Sequence, residues 1–203
     1  MNSTPAFSDA PRVRTLVTQR IEQLQERFLK DSSTARALLA QLRSAASRPP
    51  GSVPAVWELT SFPVSQYVSD SPTFEENAVH DAMILYAIAQ QGNSRGVHRR
   101  SESGSPQGFG DAMTSLARQQ ESNHGAVQRR FSAAATSESY DELVRHVRPL
   151  IRQLSNSDLN ITLDFGLLAD AFLVFQFPDG PQRIRRRWAR QFNPRPVPDA
   201  TAA

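Results

Sequence analysis

Residues 139–154 read SYDELVRHVRPLIRQL, and their spacing sets the fold class. Ser139, followed three residues later by Glu142, forms a capping box, in which a hydroxyl and a carboxylate each take up a backbone N–H left bare at a helix start. Leu143, Val144, Val147, Leu150, Ile151 and Leu154 then recur at the three- and four-residue steps that place side chains on one face of a helix. Arg145, Arg148 and Arg152 share another face, so one segment buries one side and offers positive charge on the other. Pro149 lies inside the pattern and predicts a kink, because proline has no N–H and crowds the preceding turn.

The same period extends in both directions. Toward the C-terminus, Thr162 or Asp164 begins an apolar helix through Phe165, Leu168, Ala169, Phe172 and Phe175, within which Leu173–Phe177 gives the chain's only hint of a strand. Pro178-Asp179-Gly180-Pro181 turns the chain into RIRRRWARQFN, residues 183–193. At 100° per residue, Arg183, Arg186, Arg187 and Arg190 fall within about 100° of one another and Ile184, Trp188 and Phe192 line the opposite side. That segregation predicts a docked helix with an arginine ridge.

Toward the N-terminus, helices are expected from His124 through VQRRFSAAA and from Phe109 through Met113, Leu116 and Ala117. Residues 92–107, GNSRGVHRRSESGSPQ, are rich in Gly and Ser without a period and read as a flexible linker or loop. Before them, Ser71-Pro72 is read as the cap and first-turn pair of a long helix carrying Ala78, Ala82, Leu85 and Ala89, which closes at Gln90-Gln91-Gly92. Pro11 opens a first helix in which Val13, Leu16, Val17, Ile21, Leu24, Phe28 and Leu29 recur at helical spacing. Ser32 or Ser33 caps a second, on which Arg36 and Arg43 share a face and which stops before Arg48-Pro49-Pro50-Gly51. Val53–Pro63 reads as a short helical turn anchored by Trp57. The expectation is an all-α protein of about eight or nine helices in two bundles, 1–94 and 95–203, divided near the 92–107 loop.

Charge is unevenly spread along the 203 residues: the first 94 carry 8 basic and 9 acidic groups, and the remainder carry 15 and 11. The basic surface therefore belongs to the second half. Lys30 is the only lysine, and arginine's planar five-donor fork suits phosphate and stacking. There is no cysteine, which excludes disulfides and thiolate chemistry and fits a reducing cytoplasm. The opening MNSTPAFSDAP lacks the charged start and apolar core of a signal peptide, and Ile161–Phe177, broken by Asp164 and Asp170, is too short and acidic to span a bilayer.

No catalytic constellation emerges, so an enzyme is not expected. His80, His98, His124 and His146 have no second ligand at three- or four-residue spacing, and neither metal nor cofactor is expected. Asp164 and Asp170, six apart on a helix, point about 120° away from each other and read as a cap and a solvated side chain. Gly104, Gly108 and Gly110 do not follow a strand, as a phosphate-cradling loop requires. What recurs is arginine on separate helices: Arg36 and Arg43; Arg99 and Arg100 in the loop; Arg118; Arg129 and Arg130; Arg145, Arg148 and Arg152; and Arg183, Arg186, Arg187 and Arg190. Converging, these would track a phosphate backbone.

The order of elements resembles the small-subunit (CasB-type) family of the type I-E CRISPR surveillance complex, Cascade, over roughly residues 20–193. The resemblance is carried by ARALLAQLR, VPAVWEL, NAVHDAMILYAIAQQ, GSPQGFGDAMTSL, VQRRF, DELVRHVRPLIRQL and WARQFN, taken in order. It implies a non-catalytic subunit of antiviral defence that holds the target heteroduplex and the displaced non-target strand. The partners it implies are other Cascade subunits, guide RNA, target and non-target DNA, and a second copy of the chain. Guide pairing reads sequence in such a complex, so the subunit needs only shape and charge. Arg43, Arg129 and Arg130 carry over most directly, and Asp111 departs from the basic residue that relatives often place after the loop glycine. The alternative expectation is a helical protein–protein adaptor without direct nucleic-acid binding.

Overall fold

A computed structural model describes residues 10–63, 70–102, 105, 107–120, 124–155 and 160–192. Residues 1–9 of the stretch read for a signal peptide, Gly104 and the tail after Asn193 lie outside the described residues. Nine α-helices follow one another in the described chain: α1 Ala10–Leu29, α2 Ser33–Ser44, α3 Trp57–Thr60, α4 Phe74–Gln90, α5 Phe109–Gln119, α6 His124–Ala135, α7 Tyr140–Ser155, α8 Phe165–Phe175 and α9 Gly180–Phe192. A 3-10 turn, Pro54–Val56, precedes α3, and the described residues contain isolated bridges rather than strands.

Side chains set the helix starts. The Ser32 hydroxyl accepts from Ala35 N at 3.3 Å and Asp164 Oδ1 accepts from Leu167 N at 3.0 Å, capping α2 and α8. The cap of α4 is Thr73 rather than Ser71: Thr73 Oγ1 accepts from Glu76 N at 3.2 Å while Glu76 Oε2 accepts from Thr73 N at 2.8 Å. This reciprocal box satisfies two donors where the Ser71-Pro72 pair would satisfy one. At α7, Ser139 Oγ accepts from Glu142 N at 3.3 Å as expected, but the Glu142 carboxylate reaches back one residue further, to Glu138 N at 2.9 Å.

By their contacts the helices group into two bundles. The first contains α1, α2, α3 and α4 together with α8, which packs against both α1 and α4; the second contains α5, α6, α7 and α9. They meet where α7 touches α4 and α9 touches α8, and the buried side chains form one continuous core. The reason lies in α8, nine of whose eleven residues are buried. A helix apolar on every side needs cover on every side, which the second bundle alone does not supply. It also bears on the strand hint at Leu173–Phe177, whose first three residues end α8 instead: a fully buried helix and a buried strand give the same unbroken apolar run.

The described part of 92–107 is a tied loop rather than a linker. Leu163 N donates to Val97 O at 3.0 Å, Asp164 N donates to Gln107 O at 2.8 Å, and the Gln25 side chain bonds both His98 N and His98 O. In the second bundle Trp188 of α9 packs on Phe109 at 4.8 Å between ring centroids, and Phe192 stacks on Phe131 at 4.4 Å. Gly110 allows this approach, since a Cβ there would lie 2.8 Å from the Trp188 carbonyl.

Candidate nucleic-acid interface

The widest meeting of arginines is built on α7. Arg145 and Arg152 are exposed on its outer face and Arg148 is half-buried beside them. The proline turn that stops α2 brings Arg48 opposite, and the four line one open groove of about 540 Å³ with Pro49, Pro50 and Pro72. Arg148 fixes the groove's depth: its Nη2 donates to the Ala46 carbonyl across 102 positions, and its Nε is buried without a partner. Beneath, His80 Nε2 lies 3.0 Å from the Arg48 carbonyl. A carbonyl only accepts, so Nε2 carries the proton, while burial pushes the ring's pKa down and keeps it neutral. Asp81, largely buried, accepts from the Tyr140 hydroxyl at 2.8 Å; burial raises its pKa to about 6 against the lowering effects of that bond and of the Arg148 charge.

The positive surface continues onto α6. Arg130 Nη1 donates to Gln153 Oε1 at 3.2 Å, one residue from Arg152, and Gln153 in turn donates to Gln120 at the end of α5 at 2.8 Å. Arg118, Arg129 and Arg130 are exposed near this junction.

The remaining candidates are placed differently. Arg36 pairs with Asp31, and Arg100 forks onto both Glu22 oxygens at 2.6 and 2.7 Å. Arg187 reaches Asp170 at 2.5 Å, and Arg183 lies 4.0 Å from Asp179. Exposed pairs such as Arg36–Asp31 and Arg100–Glu22 gain little in water, so these side chains exchange partners easily. The Arg187–Asp170 pair is more enclosed and ties α9 to α8. Arg43 is half-buried, donates to the Ala87 carbonyl at 3.3 Å and has its pKa lowered by burial, so it joins α2 to α4. Arg99, Arg186 and Arg190 are exposed without a side-chain partner among the described residues.

Other expected residues resolve into structural parts. Asp164 caps α8, but it is 1% exposed and also accepts from Ser101 N at 2.9 Å. Asp170 is the Arg187 partner rather than a solvated side chain. Asp111 accepts from Gly108 N at 3.0 Å and starts α5. Among the described residues, no group of three or more His, Cys, Asp or Glu is placed to hold a metal, and no helix is long and apolar enough to cross a membrane.

A family model described as CRISPR-associated protein Cse2 matches residues 38–192. The chain belongs to the Cse2 family. Among solved structures, CasB from Thermobifida fusca is 31% identical with a TM-score of 0.73, over 89% of this chain and 97% of that one. A CRISPR-associated protein of the Cse2 family from Thermus thermophilus is 19% identical with a TM-score of 0.60, over 90% and 96%, a likeness of fold alone. No curated protein sequence matches significantly. Membership in the small-subunit family of the type I-E complex and the all-α fold are thereby borne out. Within this Cse2-family fold, sequence reasoning passed over Arg48, read only as part of a helix stop. No local signal could place it against α7, almost a hundred positions away.

Proposed function

We propose that this Cse2-family chain is a non-catalytic small subunit of Cascade, whose arginine surface holds the target heteroduplex and the displaced non-target strand within an antiviral surveillance complex. Other Cascade subunits, the guide RNA, both DNA strands and a second copy of the chain are its partners. The observation that carries the reading is the α7 groove: Arg48, Arg145, Arg148 and Arg152 line one hollow in which they outnumber the carboxylates, Asp81 and Asp141, and none of the four makes a direct ion pair among the described residues. Four guanidinium groups against two carboxylates leave an excess of positive charge that an added anion offsets. A phosphate backbone fits such a groove without being read for sequence, and Arg129 and Arg130 of α6 and Arg118 of α5 are the residues that would extend the track.

Co-expression with the partner subunits and a guide transcript tests the reading. The chain is expected to elute in the large ribonucleoprotein. An Arg145→Ala/Arg152→Ala variant is expected to assemble as well, but to leave the displaced strand of bound target DNA more reactive to permanganate. Assembly with unchanged permanganate reactivity would favour the helical adaptor instead.

A further inference from the structure

We propose that Trp57 is a base-stacking platform, so that single-stranded nucleic acid lies across this face with a base on the indole and its neighbouring phosphates on the α7 arginines. The inference rests on the nucleic-acid reading above and narrows it to one strand.

The sequence led us to expect Trp57 as the anchor of its turn. Instead Val56 and Thr60 are buried and Trp57 is 51% exposed, more than Leu29 or Phe74, the other exposed large apolar side chains among the described residues. Exposure does not leave it loose. Its Nε1 donates to the Gly51 carbonyl at 2.7 Å, and its own carbonyl accepts from Ser61 N at 2.9 Å and Ser61 Oγ at 2.7 Å. Arg20 of α1 donates to Leu59 O at 3.2 Å and Ser61 O at 2.6 Å, clamping the end of α3 to the first bundle. The indole's one hydrogen-bonding atom is thus used, and what faces solvent is a fixed aromatic surface.

That surface adjoins the arginines. Gly51, which holds the indole, is three residues from Arg48, a span of at most roughly 11 Å when fully extended. A turn hydrogen bond from Ser52 N to Pro49 O at 3.3 Å shortens it. The hollow beside Trp57 and the arginine groove share Pro50 and Pro72 as a common wall. The described lining of the Trp57 hollow holds Asp70 and Glu76 and no arginine, whereas the groove sets four arginines against Asp81 and Asp141, so a phosphate is favoured in the groove and a base beside the indole. A cationic groove with an aromatic platform holds single strands without reading them, whereas the bases of a duplex are already stacked and offer no free face.

Tryptophan emission of the intact chain tests this. Trp188 is 1% exposed inside the second bundle's aromatic cluster and supplies a constant background, so Trp57 is the reporter. At low salt, an oligothymidylate is expected to quench the emission saturably, and a duplex of the same length is not. Trp57→Ala should weaken oligothymidylate binding about 5- to 150-fold, the equivalent of ~1–3 kcal/mol for one stacked base, without altering the salt slope, because indole is uncharged. Trp57→Phe should recover part of that affinity, and helical circular dichroism should stay unchanged in both. Arginine-dependent binding with unmoved emission and wild-type affinity in Trp57→Ala would overturn the platform while leaving the groove standing. Equal quenching by duplex would overturn the single-strand assignment. A Trp57→Ala protein that binds oligothymidylate normally but loses a partner subunit would show a protein-docking tryptophan. Failure to bind any nucleic acid would remove the groove reading and this one with it.

Discussion

Helices α7 and α9 carry the same kind of sequence, an apolar stripe with arginines spaced around the rest of the wheel, yet the fold uses the two sets differently. On α9, Arg187 closes on Asp170 of α8, Arg183 lies near Asp179 and Arg185 Nε donates to the Ala135 carbonyl at 3.1 Å. Two of its five arginines, Arg185 and Arg187, tie α9 to other helices. On α7, Arg145 and Arg152 face an open groove, and Arg148, the one that bonds protein, bonds an uncharged carbonyl. A run of arginines therefore says nothing by itself about nucleic acid; the carboxylates that surround it decide.

The comparison can be broken or sharpened at three places. The largest effect is expected at Asp81, under the α7 groove. Its folded pKa is raised, to about 6 from 3.8, chiefly by burial. Between those values the folded chain holds a proton that the unfolded chain has lost, so stability is fully present below the unfolded pKa and falls as pH rises through the folded one. Denaturation midpoints across pH 4 to 7 should reveal a loss of up to about 3 kcal/mol from this group, and Asp81→Asn, which keeps an acceptor for Tyr140, should flatten that part of the profile. A smaller effect is expected on α9. Arg187→Ala leaves the half-enclosed Asp170 carboxylate without its partner and should cost about 1–2 kcal/mol by chemical denaturation, with no change in nucleic-acid affinity. The smallest is on α7 itself, where Arg145→Ala/Arg152→Ala should move stability by no more than about 0.5 kcal/mol, since both side chains stand in solvent.

Much of the fold could be read from the sequence because helical periodicity is local. The apolar stripes of α1, α2, α4, α7 and α9 and the caps at Ser32 and Ser139 stand where spacing put them. What failed was long-range or ambiguous in principle. Leu173–Phe177 reads the same whether the buried element is helix or strand, and the packing of α8 on α1 and α4 depends on which faces of those helices remain uncovered. At the site, periodicity correctly put Arg145, Arg148 and Arg152 together. It could not supply Arg48 from across the groove, nor the carboxylates that occupy Arg36, Arg100 and Arg187. Arg43 and Trp57 exchanged roles for the same reason: aromatic character suggested burial and charge suggested exposure, while the contacts of α2 with α4 and the Gly51 carbonyl settled both the other way.

The most direct measurement is the salt dependence of single-strand binding, compared between helices. Each phosphate neutralised contributes a log–log slope of about −0.7, so Arg145→Ala/Arg152→Ala should flatten the slope by roughly 1.4, while Arg183→Ala/Arg187→Ala should leave it as in the wild type. A slope that flattens for the α9 pair and holds for the α7 pair would contradict the account.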